Sequence, residues 1–162
     1  RYEHCISMYQ HFNESGLMIF GQEKESARFA ISKSVGKRFM YKLKLQTPKF
    51  GIFDKENDKH IGNIKVGGIN HYHKYADIGF LIGEKSYWGK GIATEAIRLA
   101  TDFAFNTLKL HKLWGGAYSP NVGSVKAFIK NGYEQEGIKR SQYLCNGVYV
   151  DDIMYGKVNP NE

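Results

Sequence analysis

Between an apolar run that reads as a strand, Tyr75 to Gly83, and an amphipathic run that reads as a helix, Ile92 to Leu108, the chain carries Tyr87-Trp88-Gly89-Lys90-Gly91. A strand that turns this directly into a helix leaves the first helical N–H groups without partners. With the helix dipole behind them, those amides form an anion site. Glycine at 89 and 91 admits backbone conformations closed to other residues and lets a bulky anion reach the main chain. A phosphate is the natural guest, although the same glycines would also serve a merely tight connection. Neither the P-loop ending Gly-Lys-Ser/Thr nor the three-glycine dinucleotide fingerprint is present, which argues against nucleoside triphosphates and nicotinamides.

Apolar periodicity places the other elements around this turn. His4 to Glu14 and Glu25 to Phe39 have helical spacing. Pro48 to Phe53 and His60 to Ile69 read as strands of a hairpin around Asp54-Lys55-Glu56-Asn57-Asp58-Lys59, with Gly67-Gly68 suggesting a bulge or a close backbone approach. A polar connection, Asn70 to Lys74, leads into the third strand. In the segment from Ile92 to Leu108, Ile92, Ala96, Leu99, Ala100 and Phe103 form an apolar stripe wide enough to pack on a sheet. Lys112 to Tyr118 is a further strand, and Asn121 is placed to N-cap a helix that Gly132 ends. Ile138 to Cys145 and Val148 to Tyr155 close the chain around Asn146-Gly147, the pair preferred in a type I′ hairpin. The order predicts an α+β domain with a mixed sheet and helices on both faces.

The 162 residues, 42% of them hydrophobic, suffice for one core, so residues 1–162 are expected to form a single domain. No apolar run approaches the length of a membrane span and the opening residues lack a secretory pattern, so a cytoplasmic protein without a membrane partner is expected. Cys5 and Cys145 make no metal or redox spacing and are expected to be free packing residues. The formal net charge of +7 favours anionic ligands, yet no run of five basic residues and no stacking signature with basic flanks appears, so nucleic acid is not expected as a partner. His71-Tyr72-His73 lacks further ligands at a metal-binding spacing, and no metal is expected.

The loop and its helix start, Trp88-Gly89-Lys90-Gly91-Ile92-Ala93, resemble the (Gln/Arg)-x-x-Gly-x-(Gly/Ala) acetyl-CoA loop of the GNAT N-acetyltransferases. The longer Tyr-Trp-Gly-Lys-Gly-Ile-Ala-Thr-Glu-Ala is similar to the RimJ/RimL-like branch. Ile61-Gly62-Asn63-Ile64, Ala76-Asp77-Ile78-Gly79-Phe80, Leu110-His111-Lys112-Leu113 and Asn121-Val122-Gly123-Ser124 to Gly132-Tyr133 follow in the family's order, covering most of the chain from about Phe50 onward. Trp88 stands where the short motif has Gln or Arg. The chain begins at Arg1 rather than Met, and the family's first strand is not evident before the opening helices, as a missing N-terminal strand would give.

The resemblance implies a mixed, mostly antiparallel sheet in which a splayed strand pair holds acetyl-CoA as cosubstrate, and direct transfer of the acetyl group to an amine. Phe80, Leu81 and Ile82 would pair through their backbones with the pantetheine amides, Gly89, Lys90, Gly91, Ile92, Ala93 and Thr94 would take the pyrophosphate, and Asn121 would bond the pantetheine arm. For the departing thiolate many members use a tyrosine, but Phe128 occupies that position, and Ser124 matches the branch's Asn-x-x-Ser as the alternative donor. Asp77 matches an acidic position and is the candidate base, with Glu84, Glu95, Asp151 and Asp152 as other carboxylates near the expected cleft. A water chain ending at a carbonyl would also suffice.

The expected acceptor is a small-molecule primary amine. Asn70 to Lys74, Lys37 to Tyr41 and Tyr143 to Tyr149, rich in His, Tyr and Lys, are expected to converge on it, which favours an amino sugar or nucleotide-linked amino sugar over a polyamine or basic peptide. Acetylation of protein N-termini and a non-catalytic acyl-CoA-binding module are the alternatives, and a homodimer is left open.

Overall fold

The computed structural model describes residues 48–54, 56–57 and 59–161, so the helices expected over 4–14 and 25–39 lie outside the described residues. Strands β1 (Lys49–Phe53), β2 (His60–Asn70) and β3 (Tyr75–Ile82) form an antiparallel meander. Helix α1 (Ile92–Asn106) crosses to β4 (Lys112–Tyr118), which lies parallel to β3, and helix α2 (Val122–Lys130) leads into the hairpin of β5 (Glu134–Cys145) and β6 (Val148–Val158). The single six-stranded sheet has the order β1-β2-β3-β4-β6-β5.

Alternation along the strands gives the sheet two chemically distinct faces. On the first, Val66, Ala76, Ile78 and Leu113 are buried with Ala96, Ile97, Ala100 and Ala104 of α1 and Ala127 and Phe128 of α2. Both described helices thus pack on this face. Phe128 is wholly buried, stacked on Tyr155 at 5.5 Å and edge-on to Phe80 at 5.7 Å and Tyr133 at 5.2 Å. Gly115 makes room for it, since a Cβ there would lie 2.5 Å from the Phe128 ring. The second face carries Lys65, Asp77, Trp114 and Asp152.

Local chemistry explains most of the boundaries. Asn121 Oδ1 accepts from the Ser124 N–H at 3.1 Å and caps α2. The helix ends in a Schellman motif: Gly132 is left-handed (φ 72°), its N–H donates to the Ile129 carbonyl, and the Tyr133 N–H donates to that of Phe128. Asn146 and Gly147 both have positive φ (52° and 77°), as the type I′ turn requires. The expected bulge in β2 occurs after Gly67, where the register to β3 shifts and Gly68 is left-handed (φ 54°).

Three expectations are corrected. α1 ends at Asn106 rather than Leu108. β5 begins at Glu134, four residues before the first apolar residue, Ile138, that suggested it, because this edge strand is exposed almost throughout and two register shifts interrupt its alternation. Cys145, buried at the end of β5, is disulfide-bonded rather than a free thiol.

Candidate functional site

The site starts from a seam in the sheet. β3 and β4 pair only through Tyr75, Ala76 and Asp77 against Lys112, Leu113 and Trp114, although β3 continues to Ile82 and β4 to Tyr118. Beyond Asp77 the backbone of Phe80, Leu81 and Ile82 is paired to β2 on one side and, among the described residues, has no strand on the other. An extended amide chain can add there as a further strand. One group is already in use: the Ile82 carbonyl accepts from Trp88 Nε1 at 2.8 Å. That bond gives Trp88, the residue that departs from the short motif, a structural task at the mouth of the gap.

The loop after β3 folds back over the end of the sheet. A 3-10 turn, Lys85–Tyr87, precedes Gly89 (φ 74°) and Gly91 (φ 80°), both left-handed, and no side chain caps α1. The first intrahelical bond reaches the Glu95 N–H from the Gly91 carbonyl at 3.0 Å, so the amides of Ile92, Ala93 and Thr94 point out of the helix start. A Cβ at either glycine would meet nothing within 4 Å. Their hydrogen side chains therefore serve the backbone conformation, and the space before the amides is open.

Two struts from the β1–β2 turn hold this loop. Tyr87 Oη donates to Asp54 Oδ2 at 2.5 Å, and Lys59 pairs with Glu84 at 3.1 Å. Lys90 Nζ stands 5.2 Å from the Tyr87 ring centroid. The Tyr87 hydroxyl, followed by the Glu56 N–H, holds the Asp54 carboxyl below the usual carboxylate range.

On the far side of the gap, α2 begins at Asn121. Its Oδ1 is used in the cap, which leaves the side-chain amide as the group it can offer to a ligand. Ser124, half-buried in the first turn, uses its N–H in that cap, and its hydroxyl has no partner among the described residues. Phe128 lies in the core one turn on, so this chain replaces a phenol with a packing ring.

The second face carries two of the candidate carboxylates, Asp77 and Asp152. Asp77 is at the last paired rung and forms an ion pair of 2.9 Å with Lys65, while the bulge glycines Gly67 and Gly68 lie against its carboxylate. Asp152 on β6 is 5% exposed, packed over Gly116, with Lys139 at 3.8 Å. Burial raises its carboxyl above the usual range, and Lys139 partly offsets this. Asp151 is held by Arg140 at 3.0 Å and the Ser141 N–H at 2.8 Å. Glu84 belongs to the strut, and Glu95 lies in the first turn of α1, where its charge favours the dipole.

Of the three expected acceptor segments, the two that lie among the described residues do not converge. The turn of His71 to Lys74 adjoins His111 at the start of β4, through the Lys74 carbonyl, whereas Tyr143 packs on Tyr118 at its other end, 4.7 Å between rings. Residues 37–41 lie outside the described residues. The sequence pass placed like side chains together but could not see which end of β4 each loop reaches. What lies between is a groove of about 410 Å³ lined by Tyr75, Lys112, Trp114, Glu136, Met154 and Tyr155. Among the described residues there is no cluster of three or more metal-ligating side chains, and no helix is long and apolar enough to cross a membrane.

Comparison with known proteins is consistent with this geometry. Residues 4–134 match the family model described as an acetyltransferase (GNAT) domain. The chain is 39% identical over 114 residues to the probable N-acetyltransferase YjcK of Bacillus subtilis, which covers 70% of this chain and 62% of that protein. It is 34% identical over 92 residues to spermidine N(1)-acetyltransferase of Escherichia coli, 57% of this chain and 49% of that one. Among solved structures, ribosomal-protein-S5-alanine acetyltransferase from Vibrio fischeri superposes with a TM-score of 0.66 at 26% identity, covering 72% of this chain and 63% of the other. The chain therefore spans between about half and two thirds of the length of these relatives.

The Tyr87–Asp54 strut makes a prediction in pH. A carboxylate lowered on folding contributes stability that is present above its unfolded value, about 3.8, and lost as pH falls through the folded value. Thermal melts of wild type and Tyr87→Phe should therefore differ above pH about 4 and approach one another as the solution is acidified below it. An offset that does not change with pH would show that Asp54 gains nothing from the hydroxyl.

Proposed function

The chain belongs to the GNAT acetyltransferase family, and from that membership we propose that it is an acetyl-CoA-dependent N-acetyltransferase acting on the primary amine of a small molecule. The observation that carries the reading is the conjunction of an unpaired strand edge at Phe80 to Ile82 with a glycine-opened helix start at its end. An extended amide arm ending in a pyrophosphate matches both: the arm fits the strand edge, and its phosphates fit the amides of Gly89, Lys90, Gly91, Ile92, Ala93 and Thr94. Asn121 offers its side-chain amide to the arm from the other wall.

Bound acetyl-CoA supplies an activated acyl group as its thioester. This chain's residues then hold the two reactants in one gap, which replaces an encounter in solution by a fixed approach. Ser124 donates its hydroxyl to the sulfur as negative charge develops there. Asp77, through its ion pair with Lys65 and its place at the last rung, fixes the apex of the gap.

For the acceptor we favour an amino sugar or nucleotide-linked amino sugar. The groove beside the apex offers the rings of Tyr75 and Trp114, suited to stacking on a ring, and its carboxylate Glu136 is paired with Lys112 at 2.6 Å. Asp77, Asp151 and Asp152 likewise each have a lysine or arginine within 4 Å. A polycation entering this face would have to displace those partners.

Three outcomes test the proposal. Gly91→Val, which forces a β-branched residue to φ 80°, should raise the Kd for CoA by calorimetry at least tenfold while the fold is kept. Unchanged affinity would remove the pyrophosphate assignment. Ser124→Ala should lose roughly tenfold to a hundredfold in kcat with little change in CoA affinity, the worth of a hydrogen bond to a charged group. Wild-type turnover would show Ser124 to be packing only. In a thiol-release screen with glucosamine, glucosamine 6-phosphate, a nucleotide-linked amino sugar, spermidine and an alanine-initiated peptide, the amino sugars should give the highest kcat/KM. Preference for spermidine or the peptide would reject the acceptor and leave the CoA site standing.

A further inference from the structure

We propose that Asp152 takes the proton from the acceptor's ammonium group, at an opening through the sheet framed by Gly79 and Gly116; this deepens the acetyltransferase reading and rests on it. The opening follows from register. β3 and β4 last pair at Asp77 and Trp114, so two residues further along two parallel strands Gly79 comes level with Gly116, past the point where pairing stops. Both have the parity of Asp77 and Trp114 and would present side chains on the second face. Being glycines, they present none.

Other groups stand over the vacated positions. A Cβ at Gly79 would lie 2.7 Å from Lys65 Cε, and a Cβ at Gly116 would lie 2.5 Å from Asp152 Oδ1. A carboxylate thus rests against the β4 backbone at the level of the opening. An acyl arm paired along Phe80 to Ile82, with its phosphates at Gly89 to Thr94, directs its thioester end toward the seam, to the level of Gly79. Both described helices pack on the first face, and an amine that approaches that end from the second passes Asp152.

The competing carboxylates are committed elsewhere. Asp77 is bound to Lys65 at 2.9 Å, Glu84 to Lys59 at 3.1 Å, and Asp151 to Arg140 and the Ser141 N–H. Asp152 is buried and its carboxylate receives no hydrogen bond among the described residues, with Lys139 of β5 at 3.8 Å as the charged group facing it. Among the described residues no buried side-chain oxygen lacks a partner, so the Asp152 oxygen that accepts no hydrogen bond is an accessible one, open to an incoming ammonium. Its raised proton affinity, a consequence of burial, suits a group that must receive a proton rather than merely attract a charge.

The step balances as follows. Asp152 accepts one proton from R–NH3+, the freed amine forms a bond to the thioester carbonyl carbon, and the C–S bond breaks with the electron pair going to sulfur. The nitrogen loses its second proton, the thiolate gains one through Ser124, and the products are the amide, CoA thiol and one proton released to solvent.

The test uses the amine of the screen above that wild type turns over fastest, with CoA affinity measured in parallel. Asp152→Asn should lower kcat about 10²- to 10⁴-fold, the usual worth of a general base, with the Kd for CoA within twofold of wild type and an equal or higher Tm. Gly116→Ala, which places a methyl group against the carboxylate, should lower kcat with CoA affinity kept, and stands in if Asp152→Asn fails to fold. Wild-type kcat in either folded variant overturns the proposal and leaves the acetyltransferase reading intact. No turnover of any amine by wild type, CoA binding notwithstanding, removes both.

Discussion

Three rungs of parallel pairing, Tyr75 to Asp77 against Lys112 to Trp114, join two otherwise separate halves of the sheet, the β1–β2–β3 meander and the β4–β6–β5 unit. The site depends on how those halves part. Where the rungs stop, a strand edge is left for a ligand, and Phe128 fills the space behind it against Phe80, Tyr155 and the bare backbone of Gly115. A ring of that volume on the first face supports the divergence that a fourth rung would remove. The same residue explains why a phenolic acid is missing here. The para carbon of this fully buried ring faces Gly115, where a Cβ would lie 2.5 Å away, so the packing leaves no room for a hydroxyl.

The features legible in the sequence are those whose cause is local. Gly89 and Gly91 announce left-handed turns, Asn146-Gly147 a type I′ hairpin, Asn121 a cap and Gly132 a helix end, because each conformation is dictated by the residue that adopts it. The central strands and both described helices follow from apolar spacing for the same reason. What stayed hidden depends on partners distant in sequence. The start of β5 is masked by an exposed, twice-bulged edge. The level of Gly79 with Gly116 exists only once the parallel register is known. Asp152 looked like one of two adjacent acids in a hairpin, and only its neighbour Gly116 distinguishes it from Asp151. His71-Tyr72-His73 and Tyr143 looked alike in chemistry, yet connectivity carries the first to the start of β4, where His73 stacks on Tyr75 at 6.2 Å, and the second to the other end of that strand.

Charge shows the same division between composition and placement. A formal +7 suggests a basic face, but three acids of the second face have basic partners: Asp77 with Lys65, Glu136 with Lys112, Asp152 with Lys139. Such pairs contribute little net stability at an exposed surface. Their effect is on selection, since they leave a charge-balanced groove in which rings and hydrogen-bonding groups, rather than long-range attraction, decide what is retained.

Asn131 ties the end of α2 to the beginning of α1. Its side-chain amide reaches both the Ala127 carbonyl of its own helix and the Thr94 carbonyl in the first turn of the other, 37 residues away. The anion loop is therefore written locally but anchored remotely. In the order of folding events, its glycines can turn the chain early, while the helix start they present is fixed only when α2 has docked, after β4 has closed the long loop between them.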